Sequence, residues 1–497
     1  MSASQEKKRR ALERAEGRDK ETLEMEKADK KTKRNKLLWS VLGIVLVLAF
    51  ALAIVLNTNL FYKNFAAVQI GDEDYTAAEV EFFYKTNYYN FVEQNSSYLA
   101  AMGLDVQKPL SSQSFDEGQT WADFFKEQAV SSLSNITILW TEAQLAGFEL
   151  SEEDRESLEA EFTSIQTVSV ENGFESTDQF IALNYGKGLD YNTIKELMER
   201  SYIAQAYYAE KNDSFTYSNT ELNKYYNENA SEYDKYNYLY YFIDGSEDTE
   251  SGIDSKTAMS EAKETAEDIM KDVKSEESFK AKILAITGAE ASQSEAAGSS
   301  LSADFADWMK DESRIEGDTK IAESSSGYYL LYYLGSDDND YNTANVRHIL
   351  IKAEADENGA YSEEAKQTAE SKAEGLLEEW MNGEAAEESF AELANSHSED
   401  PGSNTNGGLY MGIYKGQMVE EFNDWCFDES RQPGDSGIVF NEGSYCGYHI
   451  IYYVDDGDNY RTVLAERELR IEDYNAWYEE VSANYTIEKG FTLRFVK

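Results

Sequence analysis

Histidine is scarce in this chain: only three occur in 497 residues, all within residues 348–449. His348 and His449 each lie in a short apolar, strand-like segment, whereas His397 precedes the stretch Ser-Glu-Asp-Pro-Gly. Histidine is the side chain best suited to exchange hydrogen-bond roles near neutral pH. A chain that avoids histidine elsewhere and places two in matched strands therefore indicates a site. Two ordinary core histidines are the alternative at this point.

Cysteine is rarer still, with Cys426 and Cys446 alone. The two could pair in an oxidising compartment, but two cysteines do not define a disulfide framework. Neither Cys-x-x-Cys nor His-Glu-x-x-His occurs in the sequence. We therefore expect no metal, zinc included, and no other cofactor.

Basic residues are also deficient, since 45 Lys and Arg face 95 Asp and Glu for a net charge of −50. Residues 1–36 carry 13 Lys and Arg against 8 Asp and Glu, a net of +5, which leaves −55 for the remainder. Such a surface repels a phosphate backbone, so no nucleic-acid partner is expected. We interpret the acidity as a device for solubility. A cell-surface adhesion or structural role has little else in its favour.

One long apolar run stands out at residues 37–56, where 20 consecutive residues carry no charge. At 1.5 Å per residue this run matches the roughly 30 Å hydrocarbon core of a bilayer. The basic flank at residues 30–36 predicts that the N-terminus is cytoplasmic. We predict a cytoplasmic tail at 1–36 and an uncleaved, single-pass signal anchor at 37–56, with the bulk of the chain outside the cytoplasm. Cleavage of the anchor is the alternative.

The stretch from 60 to 230 has helical periodicity and no catalytic pattern. Thr76 and Glu79 have the spacing of a helix capping box. A second helix is predicted from Trp121 to Ala146, ended by a glycine. These patterns predict a mainly helical domain.

The chain beyond residue 230 contains an internal repeat. Residues 305–314 and 422–431 match at seven of ten positions, and each is followed by an aromatic strand, at 327–334 and 447–454. Each copy runs strand, helices, strand over about 100 residues. Each should form one α+β unit, because a lone strand and helix could not bury their faces.

The differences between the copies favour a functional role for the histidines. His348 matches Tyr240, and His449 matches Tyr329. The two positions are 101 residues apart in the second copy but 89 apart in the first, and the extra residues fall in the Gly-rich stretch 398–418. Tyrosine therefore fills both places in the sister copy, which weakens a general core-packing explanation. His397 is interpreted as a bystander.

The motifs of the second copy resemble those of the parvulin peptidyl-prolyl isomerases. The family pattern of H-I-L-x-K, F-x-x-L-A, S-x-D-P-G-S, G-G, G-Q-M, F and G-Y-H-I-I is met in order at 348–352, 390–394, 398–403, 407–408, 416–418, Phe422 and 447–451. The whole chain is similar to extracytoplasmic foldases of the PrsA and SurA type. In those foldases a helical chaperone domain, built from N- and C-terminal segments, accompanies the parvulin modules.

This resemblance implies an α+β fold class with a single N-terminal transmembrane helix. It further implies a helical chaperone domain, two tandem parvulin-like domains of which the first is degenerate, and a C-terminal helix that packs back on the helical domain. The predicted ranges are 60–230 for the helical domain, 231–337 and 338–457 for the two parvulin-like domains, and 458–497 for the C-terminal segment.

The resemblance also implies the site residues. The catalytic set is His348, Asp400 and His449, in which the histidines face each other through a hydrogen bond. The pocket for the proline ring comprises Met418, Phe422, Tyr410 and Cys446. Two roles are open for Asp400, which either tunes the histidines or repels the carbonyl oxygen of the planar amide.

Two functions follow from these residues. The first is an isomerase and chaperone acting on unfolded or partly folded exported polypeptides that contain X-Pro bonds. The second is a non-catalytic, membrane-anchored holdase, favoured by Gly-Gly-Leu-Tyr-Met at 407–411, where the family has Gly-Gly-Asp-Leu-Gly. The acidic residues after Lys352 argue against a phosphate preference. A homodimer is kept as one option for the assembly.

Overall fold

A computed structural model describes residues 2–57, 60–247, 253–357, 359–443 and 445–497. The fold is mixed α+β, with helical and parvulin-like regions, as the sequence predicts. The helices are α1 Ala3–Asn57, α2 Leu60–Asn64, α3 Ala77–Gln94, α4 Trp121–Ala146, α5 Glu152–Glu171, α6 Thr177–Asn184, α7 Tyr191–Asp213, α8 Asn219–Glu228, α9 Ala230–Tyr233, α10 Ser255–Met270, α11 Glu276–Thr287, α12 Ala306–Met309, α13 Glu363–Asn382, α14 Glu387–His397, α15 Glu420–Cys426 and α16 Tyr460–Ser482. The strands are β1 Ala66–Ile70, β2 Glu73–Thr76, β3 Ser114–Asp116, β4 Gln119–Thr120, β5 Lys235–Asp244, β6 Ser292–Ala297, β7 Thr319–Ser324, β8 Gly327–Asp337, β9 Asn342–Lys352, β10 Leu409–Ile413, β11 Ser436–Glu442, β12 Cys446–Asn459 and β13 Ile487–Lys489.

The chain divides into two compact units. The first comprises the residues up to Phe215 together with Asp473–Lys497, and the second comprises Thr216–Glu472. The first unit is mainly helical, with a small sheet in the order β13-β1-β2. The C-terminal strand β13 pairs antiparallel with β1, so the end of the chain completes this unit.

The start of α3 and both ends of α4 lie where the sequence predicts. Thr76 caps α3 in a capping box with Glu79, and α4 spans Trp121–Ala146. Gly147 ends α4 in a left-handed conformation at φ 69°, which glycine adopts without the steric cost of a Cβ atom. The core between α3 and α4 is aromatic, and its centre is the fully buried pair Trp121 and Phe125.

The prediction of a transmembrane helix at 37–56 is wrong for the residues that the structure describes. A crossing helix needs about 20 consecutive, mainly apolar residues. No helix in the described part of the chain is both long enough and apolar enough to cross a membrane. Within the predicted segment, the side chains at 37–38 and 50–56 lie outside the described set. The single-pass anchor is therefore withdrawn from the fold.

The second unit contains two four-stranded antiparallel sheets of the same design. The first copy has the strand order β6-β5-β8-β7, and the second has β10-β9-β12-β11. In each copy two long helices, α10 and α11 or α13 and α14, follow the first strand. The helices α13 and α14 cover one face of the second sheet, and their shared core includes Ile349, Trp380 and Phe390.

The ladder registers show that the two copies are aligned as the repeat predicts. In the first copy Tyr240 pairs with Leu331, and Tyr329 pairs with Phe242. In the second copy His348 pairs with Ile451, and His449 pairs with Leu350. The pairs Tyr240/His348 and Tyr329/His449 therefore occupy equivalent places in the two sheets.

The copies differ in the connection between the second long helix and the outer strand. This connection spans 288–291 in the first copy, four residues, and 398–408 in the second, eleven residues. The longer connection lies against β9, because Ser398 Oγ accepts from the Leu350 amide at 3.1 Å and the His348 amide donates to the Gly408 carbonyl at 2.8 Å. The second copy thus has an added segment beside the histidine strands.

Candidate active site

The two buried histidines lie on adjacent strands and contact each other. His348 and His449 are each 2 % exposed. The Nδ1 atoms of His348 and His449 are 3.3 Å apart, and the rings meet edge to edge, with centroids 5.5 Å apart and planes inclined by 25°. His397, in contrast, is exposed at the end of α14. The structure therefore brings together the two histidines that the repeat singles out and leaves the third outside.

Asp400 lies on the long connection and accepts three hydrogen bonds at one oxygen. Its Oδ2 atom is 3.0 Å from His348 Nε2, 2.5 Å from Ser403 Oγ and 3.1 Å from the Tyr410 hydroxyl. The hydrogen bond from His348 is the largest cause that holds the pKa of Asp400 well below its usual range, despite partial burial. Asp400 is therefore a carboxylate that can only accept hydrogen bonds at neutral pH.

The backbone around Gly408 explains the paired glycines of the connection. Gly408 has φ 71°, and a Cβ atom there would lie 2.3 Å from the His348 carbonyl oxygen. Its amide donates to the Ser403 carbonyl at 2.8 Å, which closes the turn that holds Asp400. A side chain at this position would displace either the turn or β9.

The far side of the histidine pair contacts a residue that the sequence reasoning missed. The Tyr445 hydroxyl is 2.9 Å from His449 Nε2, so both ring nitrogens of His449 have partners. Ser403 was missed as well: its Oγ donates to Asp400 and is 3.2 Å from His348 Nε2. Ser403 belongs to the motif at 398–403 and could have been included, whereas no sequence pattern points to Tyr445.

These contacts order the protons of the set. Burial, and then the neighbouring His348, lower the pKa of His449 to about 3, so His449 is neutral at physiological pH. Because Asp400 only accepts, His348 Nε2 must donate to it. With a lone pair on His348 Nδ1, His449 Nδ1–H donates to that atom, and Tyr445 O–H donates to His449 Nε2.

An apolar wall lies beside the imidazole rings. Phe422 is fully buried, and its ring meets those of His348 and His449 edge-on at centroid distances of 5.6 and 5.3 Å. Met418 and Tyr410 are half-buried and pack against the same cluster. Of the four predicted pocket residues, the structure brings Phe422, Met418 and Tyr410 to this wall.

Cys446 lies elsewhere. It is three residues before His449 on the same strand, and side chains an odd number of residues apart point to opposite faces of a sheet. Cys446 packs with Ile349 and Trp380 in the cluster beneath α13 and α14. Both cysteines are free and buried, and burial raises the pKa of Cys426 to about 12.

The equivalent place in the first copy is filled by aromatic rings. Tyr329 contacts Phe242 at 4.7 Å and Phe305 at 5.3 Å, and Tyr240 contacts Tyr238 at 6.0 Å. No equivalent of the connection that carries Asp400 is present in residues 288–291. The first copy therefore has the fold and an aromatic core here, but not the hydrogen-bonded groups.

The fold and site define a parvulin-type domain, and comparison with known proteins agrees. Residues 328–456 match the model of the PPIC-type PPIASE domain. The Chaperone SurA of Alkalilimnicola ehrlichii is 32 % identical over 150 residues, which cover 30 % of this chain and 31 % of that protein. The Foldase protein PrsA of Halalkalibacterium halodurans is 36 % identical over 104 residues, which cover 20 % and 28 %. The predicted resemblance to PrsA and SurA is thus confirmed.

The chain spans about a third of the length of these curated relatives. Among solved structures, PrsA of Bacillus cereus is 26 % identical, with 29 % of this chain and 49 % of that chain covered and a TM-score of 0.19. A chain from a structure of SurA-like chaperones of Campylobacter jejuni is 12 % identical, with 67 % and 82 % covered and a TM-score of 0.14. Superpositions at these scores support no conclusion about the whole chain.

Proposed function

We propose that the second parvulin-like copy catalyses cis–trans isomerisation of X-Pro bonds, and that the chain assists the folding of exported proteins. One observation supports this most directly: the hydrogen-bonded set from Tyr445 to Asp400 lies against an apolar wall in one copy only. The sister copy keeps the same strands and fills the place with tyrosine and phenylalanine.

The reaction requires a surface that favours a twisted amide over a planar one. Rotation about the peptide bond crosses a barrier of about 18–20 kcal/mol because the twisted amide loses its resonance. No nucleophile is needed, since stronger binding of the twisted bond than of the planar bond is sufficient. The residues of the second copy can supply this difference in binding without any bound group.

The proline ring would lie against the half-buried Met418 and Tyr410, with the fully buried Phe422 behind them. An apolar environment disfavours the charge-separated resonance form of the planar amide and so lowers the barrier. The aromatic face of Phe422 is held in place by the edge-on contacts with both histidines.

Asp400 is best explained as a positioning group. Its Oδ2 atom already accepts from His348, Ser403 and Tyr410. These bonds fix the orientation of His348 and the position of the Tyr410 hydroxyl at the edge of the wall. This supports the role of tuning the histidines over direct repulsion of a substrate carbonyl.

We propose a chaperone role for the first unit, since unfolded polypeptides expose apolar segments. Well-exposed large apolar side chains of this unit include Tyr98, Leu145, Val170 and Leu183. Suppression of the aggregation of an unfolded protein by the full chain would support this role, and no suppression would refute it.

We also propose that the acidic part of the chain works outside the cytoplasm. This rests on the contrast between the basic residues 1–36 and the charge of −55 on the remainder. Protease accessibility of the chain on intact cells, with a cytoplasmic marker as control, tests it.

The function is tested by catalysis of a refolding reaction whose slow phase is prolyl isomerisation. The full chain at one-tenth of the substrate concentration should accelerate that phase, which a holdase cannot do. His449→Ala should lower the acceleration at least tenfold, and Tyr329→Phe, at the equivalent place of the first copy, should leave it unchanged. A wild-type chain that only prevents aggregation would instead support the holdase.

A further inference from the structure

The turn at 414–417 immediately precedes the residues of the apolar wall in the chain. It connects β10 to α15, and it leads directly into Met418 and then Phe422. Its residues are exposed or half-buried, so this segment has no core of its own. Its position must come from contacts with neighbouring elements.

Tyr341 supplies several of these contacts. Its hydroxyl accepts from the Lys415 amide at 3.1 Å, and its ring lies under Lys415 Nζ at 4.4 Å. The same ring stacks on Tyr460 at 5.2 Å, and Tyr460 stacks on Tyr414 at 5.0 Å. Two successive residues of the turn are therefore held by two aromatic side chains.

Tyr341 also contacts the other end of the wall segment. Its ring meets that of Phe427, the residue after α15, edge-on at 5.7 Å. Tyr341 thus touches both ends of the segment 414–427, which carries Met418 and Phe422. Its own backbone is fixed, because its carbonyl accepts from the Tyr460 amide at 2.8 Å.

The first copy reaches the same turn. Lys235, the first residue of β5, donates from Nζ to the Lys415 carbonyl at 3.2 Å and forms an ion pair with Glu295 at 3.1 Å. Both backbone groups of Lys415 therefore have partners outside the turn. One partner precedes β9, and the other belongs to the copy without histidines.

We propose that Tyr341 is a positioning residue for the apolar wall. Lys235, through its hydrogen bond to the Lys415 carbonyl, makes the first copy a second support for the same wall. This inference rests on the proposed function of the second copy. The degenerate copy is then a support for the neighbouring site rather than a second site. Neither residue touches the reacting bond.

The test is the affinity of the full chain for a short Xaa-Pro peptide, measured by NMR titration. Tyr341→Phe removes the hydroxyl but keeps the ring, and it should weaken binding about fivefold, the usual effect of losing one hydrogen bond. Tyr341→Leu should weaken binding further, and Lys235→Met should resemble Tyr341→Phe. Signals of His348 and His449 should keep their positions in all three variants, because a general loss of structure would move them.

Tyr233→Phe is the matched control. Tyr233 precedes β5 as Tyr341 precedes β9, and its hydroxyl contacts that of Tyr225 at 3.3 Å rather than the turn. The Tyr233→Phe chain should bind the peptide with the affinity of the wild type.

A second measurement follows the turn itself. Trypsin cleavage after Lys415, quantified by mass spectrometry of the severed junction, should be faster in Tyr341→Phe and Lys235→Met than in Tyr233→Phe. If Tyr341→Phe binds the peptide with unchanged affinity, the proposal is wrong, whether or not cleavage is faster. The proposal is also wrong if the wild-type chain does not bind the peptide. A wild-type chain that binds without accelerating isomerisation refutes the proposed function alone.

Discussion

Replacing Tyr445 with phenylalanine removes one hydroxyl from the hydrogen-bonded set and keeps the ring. The Tyr445 ring lies 5.9 Å from that of His449 and is tilted by 60°, a packing that phenylalanine can repeat. The lost group is the partner of His449 Nε2 at 2.9 Å, in a residue that is 2 % exposed. The change is therefore confined to one hydrogen bond at a buried nitrogen.

The size of the effect follows from that burial. With His348 neutral, His449 Nε2 is a lone pair that loses its donor, and an unsatisfied buried acceptor costs about 1–3 kcal/mol. Phenylalanine can neither donate to this nitrogen nor accept from it, so no tautomer of His449 recovers the lost hydrogen bond. The ordered position of the His449 ring should therefore be weakened by this amount. If catalysis needs that position, the rate should fall about tenfold, which corresponds to about 1.4 kcal/mol.

The three histidines make the assay simple. Nitrogen-15 NMR of the full chain, labelled in histidine, has six ring nitrogens to assign, and exposed His397 is an internal reference. The wild type should have the proton on Nδ1 of His449 and on Nε2 of His348. Tyr445→Phe should broaden or shift the His449 nitrogens, whereas Tyr448→Phe, on the opposite face of the strand, should not. Unchanged histidine signals and an unchanged rate in Tyr445→Phe would refute the reasoning.

Three further predictions concern stability, each measured by urea unfolding of the full chain. Glu81 is 7 % exposed, and burial raises its pKa from 4.5 to about 7. The stability that the protonated carboxyl gives to the folded state is present below pH 4.5 and lost as the pH rises through 7. Glu81→Gln should therefore stabilise the chain by up to about 3 kcal/mol at pH 8 and not at pH 4. Burial lowers the pKa of His449 to about 3. The stability that the neutral imidazole gives to the folded state is present above pH 6.5 and lost as the pH falls towards 3. Relative to His449→Phe, the wild type should therefore lose about 1.4 kcal/mol of stability per pH unit between pH 6 and 4. Gly408→Ala should destabilise by more than about 2 kcal/mol through the contact with the His348 carbonyl, whereas Gly434→Ala, at φ 91° with no atom within 4 Å of the added Cβ, should show only the smaller cost of a left-handed backbone. Equal costs for the two glycines, or pH profiles that the variants leave unchanged, would contradict these assignments.

The sequence predicts the elements whose cause is local. The capping box at Thr76 and the glycine that ends α4 follow from hydrogen-bonding and dihedral preferences of a few neighbouring residues, and both are confirmed. The pairing of the two copies also follows from the sequence, because the repeat fixes which strand positions are equivalent. That equivalence, rather than any single motif, separates His348 and His449 from ordinary core histidines.

The sequence does not predict contacts that depend on how the chain folds back on itself. Tyr445 is four residues before His449, a spacing that would place the two about 13 Å apart in a continuous strand. The contact exists because Tyr445 lies just before β12, outside the regular strand, and its hydroxyl reaches His449 Nε2. Cys446 is the opposite case, since its odd spacing from His449 on one strand already predicts the opposite face of the sheet. The anchor predicted at 37–56 relied on an uncharged apolar run of bilayer length and its basic flank, and the described helices do not support it.

The central claim is that the second copy lowers the barrier to rotation about an X-Pro bond. The most direct measurement is the cis–trans exchange rate of a short Xaa-Pro peptide, followed by exchange NMR with the full chain at a small fraction of the peptide concentration. We predict an exchange rate well above the uncatalysed one, where a single event takes tens to hundreds of seconds, and a loss of most of that acceleration in the His348→Ala, His449→Ala double variant. An exchange rate with wild type equal to that of the peptide alone, in a chain whose folded state is intact, would contradict the account.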